Sequence, residues 1–267
     1  MDSIDKKNQT IKDFGEQWSR YPDNIGYYGS LELFSDILFP FLRPEDLENC
    51  KVAEIGSGTG RIVNMLLESG VNHVWAIEPS ESFAVLLKNI RDPERVTCLK
   101  IPGEQLPGYG NLDYIFSIGV LHHIPDPKPV VEAAFNALRH GGQFLVWLYG
   151  KEGNELYLAF VNPLRDLTKH LPHCVLATFV RIIYYPFLIY IQLCRWLPLP
   201  LRNYLLHVFK KMSPDKRRLI IYDQLNPAYA KYYTKTEAMK LLLDGGFINV
   251  RAYHRHGYSW TVIGTKP

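Results

Sequence analysis

Apolar residues along this chain form short runs that alternate with stretches of helical spacing. Short runs are typical of buried strands, and apolar residues three or four positions apart are typical of helices. The runs predict strands at Val52–Ile55, Val74–Ile77, Val96–Ile101, Leu112–Ile118, Gln143–Tyr149, Phe247–His254 and Tyr258–Thr265. The spacings predict helices at Leu31–Leu42, Ile62–Glu68, Glu81–Ile90, Val130–Leu138 and Ala238–Leu243.

The alternation of strands and helices predicts an α/β fold with a seven-stranded, mostly parallel sheet covered by helices on both faces. The last two strands are separated only by a short turn at His256-Gly257, so they are predicted to form an antiparallel hairpin. The sheet is therefore mixed. Thr234 and Glu237 have the spacing of a capping box and predict where the last helix begins.

Three regions follow from this pattern. Residues 1–49 form an aromatic and helical preamble, which includes Trp18, Tyr27 and Tyr28. Residues 50–150 and 234–267 form the α/β core. Residues 151–233 are an insertion that a minimal α/β unit does not need, and they predict a mainly helical, apolar and basic cap.

The cap raises the question of a membrane span. Its longest uncharged run, Ile182–Cys194, is shorter than the roughly 20 residues that cross a bilayer. Pro186 and Pro198 are expected to kink or end a helix there. A spanning helix is therefore not predicted.

Charge is unevenly distributed between the cap and the core. Residues 160–218 contain ten cations and two anions, a net charge of +8, although the whole chain carries only +3. One interpretation is a solvated basic face. The other is that the cap meets something apolar and anionic, such as a lipid phosphate, a prenyl diphosphate or an anionic membrane surface.

Composition places the chain among globular proteins. It has 267 residues, of which 47% are hydrophobic and 21% charged. The four cysteines have no paired spacing, which favours free thiols in a reducing compartment. The N-terminal residues lack an apolar leader segment. We therefore expect a cytoplasmic protein, with a peripheral position at the inner face of a membrane as the alternative.

The candidate chemistry begins at the first strand. Gly56, Gly58 and Gly60 follow it in the pattern G-x-G-x-G, which allows the backbone to turn sharply and approach a ligand. Glu78 ends the second strand, eighteen residues beyond Gly60. In a doubly wound sheet an acidic residue there lies beside the glycine turn and can accept hydrogen bonds from ribose hydroxyls.

Four sequence segments in this order resemble the class I S-adenosylmethionine-dependent methyltransferases: EIGSGTGR, AIEPS, LDYIFSIGVLHHIPDP and RHGGQF. The resemblance covers residues 50–150 and 234–265. It implies a Rossmann-like fold, S-adenosylmethionine as cofactor, and methyl transfer by in-line displacement. The insertion corresponds to the variable cap of such enzymes.

The resemblance also implies roles for individual residues. Glu54 and the backbone of the glycine turn would hold the methionine end of the cofactor, and Glu78 would bind the ribose. Where members often have Asp after the third strand, this chain has Pro102, so Gly103 and Glu104 are the remaining candidates for contacting the adenine. The full predicted cofactor set is Glu54, Gly56, Ser57, Gly58, Gly60, Glu78, Pro79, Ser80, Gly103, Glu104, Ile118 and Gly119.

A sulfonium methyl is already activated, so the protein must mainly exclude water and hold the acceptor in line. A base is needed if the acceptor is a weakly acidic hydroxyl. His123, and after it His122, is the candidate base; the alternative is that the pair only caps the turn before Pro125. The predicted substrate residues are Tyr27, Tyr28, Asp223, Asn226, Tyr229 and Tyr233. His254 and His256 alternate on one strand without neighbouring acids or thiols, so no metal site is predicted.

The acceptor is predicted to be a small or lipid-like molecule, in one version anionic, that accepts the methyl on oxygen or carbon. One alternative is a sugar in a glycan precursor. Another is a non-catalytic cofactor-binding protein that docks a membrane or a partner through the insertion. Nucleic acid is set aside as a partner, because Asn226-Pro227-Ala228-Tyr229 resembles the N-P-P-Y motif of amino-directed nucleic-acid methyltransferases but lies far from the fourth strand. The oligomeric state is left open.

Overall fold

The structure is a computed structural model that describes residues 3–267, with side chains from residue 5 onward. Residues 1 and 2 of the predicted preamble lie outside the described residues. The strands are β1 Lys51–Ile55, β2 His73–Ile77, β3 Val96–Leu99, β4 Leu112–Ile118, β5 Leu138–Tyr149, β6 Ile248–Arg255 and β7 Ser259–Thr265. The helices are α1 Ser3–Arg20, α2 Leu31–Leu38, α3 Arg61–Glu68, α4 Phe83–Asn89, α5 Lys128–Ala137, α6 Glu155–Thr168, α7 His173–Leu193, α8 Arg202–His207, α9 Pro214–Leu225 and α10 Lys235–Leu243.

The strands form one seven-stranded sheet in the order β3-β2-β1-β4-β5-β7-β6. The first five strands are parallel, and β7 runs antiparallel between β5 and β6. The predicted mixed sheet with a terminal hairpin is confirmed. The strand order reverses between β1 and β4, and in open α/β sheets that point is where ligands bind.

Alternate side chains of the strands enter two apolar clusters, one on each face of the sheet. Val52 and Phe116 face a cluster that includes α2, α3 and parts of the cap. Ala53 and Ile115 face a second cluster built with α5 and α10. Both faces are covered, which explains why β1 and β4 read as near-continuous apolar runs.

Helices α6 to α9 form the cap between β5 and α10, and α9 packs against both α6 and α7. Helix α7 continues through Pro186, so the predicted alternative of a helix end there is wrong. Its inward residues Val180 and Tyr184, before the proline, and Ile191, after it, are all buried. Packing on both sides of the proline thus holds the helix together despite one lost backbone hydrogen bond.

Helix α7 is also long and apolar enough, by length and composition alone, to cross a membrane. Only 22% of its most apolar window is buried inside the protein. The single charge at Arg181 does not prevent the helix from meeting this criterion, but core helices of globular proteins meet it too, so the absence of a spanning helix stays a prediction.

Other differences from the predicted elements lie at their boundaries. Helix α2 ends at Leu38, because Pro40 follows closely and disfavours helical backbone before it. Strand β5 begins at Leu138, before the predicted Gln143. The capping box of Thr234 and Glu237 at α10 is confirmed.

Candidate active site

A cavity of about 820 Å³ lies at the carboxyl end of the parallel strands, between the glycine turn, α1 and the cap. Fourteen of the sequence-predicted residues line it: Tyr28, Glu54, Gly56, Ser57, Gly58, Glu78, Pro79, Ser80, Gly103, Glu104, Ile118, Gly119, His123 and Asp223. Residues far apart in the chain therefore meet at one place, the switch point of the sheet.

Six predicted residues do not line this cavity: Gly60, His122, Tyr27, Asn226, Tyr229 and Tyr233. Gly60 precedes α3, and its N–H donates to the Ser57 carbonyl at 2.8 Å. The Tyr27 ring lies instead against the Lys211 ammonium, 5.1 Å from its centroid. Their predicted contacts with ligands find no geometric support at these positions.

Three of the remaining four residues form hydrogen bonds within the protein, through a side chain or a backbone carbonyl. Asn226 donates from its side-chain amide to Gln17 Oε1 at 3.2 Å. Tyr229 offers its carbonyl to His123. Tyr233 is buried, and its carbonyl accepts from the Trp260 indole at 3.1 Å. The aromatic walls of the cavity come from other residues.

The glycine turn has the backbone that its sequence requires. Gly56 has φ of +82°, and a Cβ there would lie 2.3 Å from the Val120 side chain, so only glycine fits. Gly58 has φ of +51°, and its N–H donates to Glu78 Oε2 at 2.7 Å. The turn is held against the end of β2, and its bare backbone faces the cavity.

Glu78 is buried and fixed through both carboxylate oxygens. Oε2 accepts from Gly58, and Oε1 accepts from the Ser80 N–H at 2.9 Å. Each oxygen has a further lone pair, so the carboxylate can still accept from two hydroxyls. Its place beside the turn suits the predicted ribose role.

Glu54 gives the clearest test of whether the cavity fits the cofactor. Its side chain is 1% exposed, and Oε2 has no hydrogen-bond partner among the described residues. Burial raises the pKa of this carboxyl to about 8, although the nearby Arg61 opposes the rise. A buried carboxyl with an unpaired oxygen suits a cationic ligand group, such as the ammonium of an amino acid. The residues present therefore fit S-adenosylmethionine.

Helix α1 covers the cavity. Lys7 forms an ion pair with Glu104 at the predicted adenine end. The Phe14 ring packs edge-on against His123, with centroids 4.7 Å apart. The Trp18 indole lies 3.7 Å from where a Cβ on Gly58 would be. The preamble thus excludes solvent from the site, which strengthens the electrostatic interactions inside it.

The two histidines differ in their access to the cavity. His122 is fully buried, its ring centroid is 3.8 Å from that of Tyr149, and neither ring nitrogen has a side-chain or ligand partner. His123 Nδ1 lies 2.9 Å from the Tyr229 carbonyl, which can only accept, so Nδ1 carries the proton and Nε2 has a free lone pair. Burial lowers the pKa of His122 well below its usual value and that of His123 to about 4.

Asp223, on α9 of the cap, is the second carboxyl of the cavity. Gln17 Nε2 of α1 donates to its Oδ1, and Gln17 is its one hydrogen-bond partner among the described residues. Loss of solvation in this enclosed place raises the pKa of Asp223 to about 6, with the hydrogen bond from Gln17 opposing the rise. Its other oxygen is free to meet a ligand.

Sequence reasoning missed several lining residues. Tyr149 ends β5, so the rule that ligands bind at the carboxyl ends of parallel strands would have found it. Its phenol accepts from Gln224 Nε2 at 2.7 Å, and Gln224 Oε1 accepts from Tyr157 at 2.9 Å. Gln224 and Tyr157 belong to the cap, where no motif marked them. Arg61, directly after the glycine turn, also lines the cavity.

Metal binding was considered at His254 and His256, which the structure directs to different partners. His254 stacks on Trp260 with centroids 4.3 Å apart, and His256 Nε2 lies 2.9 Å from Asp36. Among the residues described by the structure, no group of three or more His, Cys, Asp or Glu side chains is arranged to hold a metal ion.

Comparison with known families identifies a methyltransferase domain in this chain. Residues 53–144 match the family described as "Methyltransferase domain". The chain is 28% identical over 149 residues to the "tRNA U34 carboxymethyltransferase" of Idiomarina loihiensis, which covers 52% of this chain and 46% of that protein. It is 33% identical over 124 residues to the protein of the same name from Vibrio cholerae, covering 45% and 38%. The matches thus span less than half of each relative.

Solved structures agree on the fold. The magnesium protoporphyrin IX methyltransferase of Synechocystis, with bound SAH, has a TM-score of 0.57 at 13% identity and full coverage of both chains. The 1,6-didemethyltoxoflavin-N1-methyltransferase of Burkholderia thailandensis has a TM-score of 0.56 at 15% identity, covering 100% of this chain and 91% of that one. At such identities the likeness concerns the fold alone.

The names of the sequence relatives contradict the predicted acceptor and partner. A small, lipid-like or sugar acceptor is not what these relatives are named for, and setting nucleic acid aside is wrong on the same finding. The prediction against nucleic acid failed because it depended on a single motif. The N-P-P-Y motif belongs to methyltransferases that modify amino groups, so its absence after the fourth strand says nothing about other atoms of a nucleic acid. The positive cap, assigned to lipid phosphates, suits nucleic-acid phosphates equally.

Proposed function

Because the chain belongs to the class I S-adenosylmethionine-dependent methyltransferases, we propose that it transfers a group from this cofactor to a uridine of tRNA. The assignment of tRNA as the acceptor rests on the sequence similarity to tRNA U34 carboxymethyltransferases, with matches that cover up to 52% of the chain. The activity of the whole protein is part of the proposal, since less than half of each relative is matched.

The charge of the cap supports a polyanionic acceptor. Its ten cations between residues 160 and 218 face only two anions within the same segment. Contacts of lysine and arginine with phosphates provide much of the affinity of proteins for nucleic acids, and they position the strand without reading its sequence. A tRNA would thus lie along the cap.

The cavity supports entry of a single base. Tyr149 and Tyr157 line its wall, while Leu156 and Phe160 of α6 are 66% and 76% exposed and also belong to its lining. Proteins bind unstacked RNA bases by stacking them on aromatic rings, and enzymes that act on a base take it out of the stack. A uridine of the anticodon loop would pass Phe160 and reach the cofactor.

Each part of the site has a role in this reaction. The cofactor supplies a carbon that is activated for displacement by its positive sulfur. Glu54 holds the amino end, Glu78 accepts from the ribose hydroxyls, and α1 excludes water. Bound there, the cofactor would supply this carbon to the acceptor atom and its sulfur would keep the electrons of the carbon–sulfur bond, while the acceptor would release a proton.

Asp223 is the best placed residue to accept that proton. It lines the cavity, and its raised pKa of about 6 makes it a stronger base than His123, whose pKa is lowered to about 4. An effective general base has a pKa near the working pH. His122 lines no part of the cavity, so proton transfer to it would need a rearrangement.

The test is labelling of tRNA by the purified protein. Transcripts with uridine at position 34 are incubated with S-adenosylmethionine labelled at its methyl group, and nucleosides are analysed by mass spectrometry. We expect label in the uridine-34 transcript, none in a matched cytidine-34 transcript, and reduced label with Glu54→Gln at subsaturating cofactor. The mass of the modified nucleoside shows whether a single methyl group, the group that this donor carries, has been added.

Two failures separate the parts of the proposal. If calorimetry shows S-adenosylhomocysteine binding but no tRNA is labelled, the acceptor assignment fails and the cofactor assignment stands. If neither the cofactor nor its demethylated product binds, the transferase assignment fails as a whole.

A further inference from the structure

The outward face of α7 is apolar along its C-terminal half. Ile182, Tyr185, Ile189, Leu193 and Trp196 recur every three or four residues and are 46% to 86% exposed. We call these five residues the α7 ridge. Trp196 lies just beyond the helix end, and its N–H donates to the Leu193 carbonyl at 3.0 Å, so it continues the same face. A surface helix of a globular protein normally carries polar residues there.

The opposite face of α7 is held by the protein. Leu176 and Val180 are fully buried in a cluster with Tyr222 and Leu225 of α9, and Ile191 is buried in the larger core. A helix packed in this way along its length cannot cross a bilayer without pulling the cap apart. Its exposed face can, however, lie in the plane of a membrane surface.

Charge beside the ridge favours an anionic surface. Arg181 precedes Ile182, and Arg195 lies between Cys194 and Trp196; both arginines are exposed, and neither has an ion-pair partner among the described residues. Trp and Tyr are typical of the membrane–water interface, and nearby arginines are attracted to anionic headgroups.

The same charge argues against other occupants. Two copies of this chain facing each other through the ridge would bring together two segments 160–218, each with a net charge of +8, which is unfavourable. RNA suits the ridge less well, because three of its five side chains are aliphatic and offer neither a cation for a phosphate nor a ring for a base.

We propose that the α7 ridge docks the protein in the plane of an anionic lipid bilayer, with Arg181 and Arg195 meeting the headgroups. This inference does not depend on the acceptor. The cavity residues Leu156 and Phe160 belong to α6 and are not part of the ridge.

The experiment is vesicle co-sedimentation of the full chain. Vesicles of phosphatidylcholine alone are compared with vesicles that also contain phosphatidylglycerol. The ridge variant is Ile189→Asp with Trp196→Asp. The matched control is Leu87→Asp with Leu243→Asp, because these leucines are also about half exposed, at 54% and 51%, but lie on the α/β core. Thermal melts check that all variants fold.

We expect the wild type and the control to bind the phosphatidylglycerol vesicles at least tenfold more tightly than the ridge variant. Arg181→Gln with Arg195→Gln should weaken binding to these vesicles and leave binding to phosphatidylcholine unchanged. Equal binding of wild type and ridge variant overturns the proposal. So does a wild-type dimer that the ridge variant converts to a monomer, with no vesicle binding by either. Binding of S-adenosylhomocysteine by the ridge variant should match the wild type, because the ridge residues do not line the cavity.

Discussion

Glu54 leads to a quantitative prediction about cofactor binding. In the protein its carboxyl has a pKa of about 8, because burial disfavours its charged form. It is therefore ionised to about 1% at pH 6, about 10% at pH 7 and about half at pH 8. A ligand whose ammonium pairs with this group needs the ionised form, so its affinity is reduced by the ionised fraction.

The direction and the size of the change in cofactor affinity with pH follow from this pKa. Affinity should rise with pH, with Kd falling about tenfold from pH 6 to 7 and about fivefold from pH 7 to 8. Binding at pH 7 should release about 0.9 proton from Glu54. Glu54→Gln removes the charge and should weaken binding about ten- to a hundredfold at pH 8, the usual contribution of a charged hydrogen bond.

The assay is titration calorimetry with S-adenosylhomocysteine in buffers of different ionisation enthalpy, which gives both Kd and protons released. Glu54→Gln is also the internal control, because a proton released by the ligand itself is measured with the variant as well as with the wild type. The comparison thus isolates the carboxyl. If wild type and variant show the same pH slope and the same proton release, the assignment of Glu54 to the ammonium is refuted.

Three further outcomes follow from the structure. With the cofactor saturating, group transfer to tRNA should rise with pH through about 6 and then level off as Asp223 ionises, and a pH–rate profile of Asp223→Asn should lack this rise. Gln17→Leu removes the hydrogen bond that favours the ionised form, so the same profile should shift to higher pH; an unshifted midpoint would contradict the role of Asp223. Gly103→Ala places a Cβ 2.6 Å from Ile55 and should lower the free energy of unfolding, measured by urea denaturation, by about 1–3 kcal/mol. The control Gly108→Ala, whose Cβ would have its nearest contact at 3.7 Å, should change this free energy by less than about 0.5 kcal/mol.

Much of the core was predictable because local rules act there. The runs from Val52 and from Leu112 are apolar on both faces, which parallel strands under two helical layers require. Gly56 needs a positive φ, and its turn was recognisable from spacing alone. The same rules failed at Pro186, where packing on both sides of the residue preserves a helix that local propensity would end.

The candidate site was predictable only where it lies on the sheet. Glu54, the glycine turn and Glu78 sit at strand ends, and the topology brings strand ends together. Tyr27 and Asn226 were chosen for their chemistry, but the preamble and the cap direct them elsewhere. The periodicity of apolar residues does not indicate how an insertion folds back over a cavity.

The amino-acid sequence by itself thus determined the strands and helices of the core, the glycine turn and the type of cofactor, because these depend on neighbours within a few residues. The tertiary structure alone decided that Asp223 meets Gln17, which is 206 positions away, and that Asp223 lines the same cavity as the glycine turn. It also decided which face of α7 is covered and which is left to solvent. The reason is physical: pKa shifts, enclosure and exposure depend on what surrounds a side chain in space, and only the packed chain provides those surroundings.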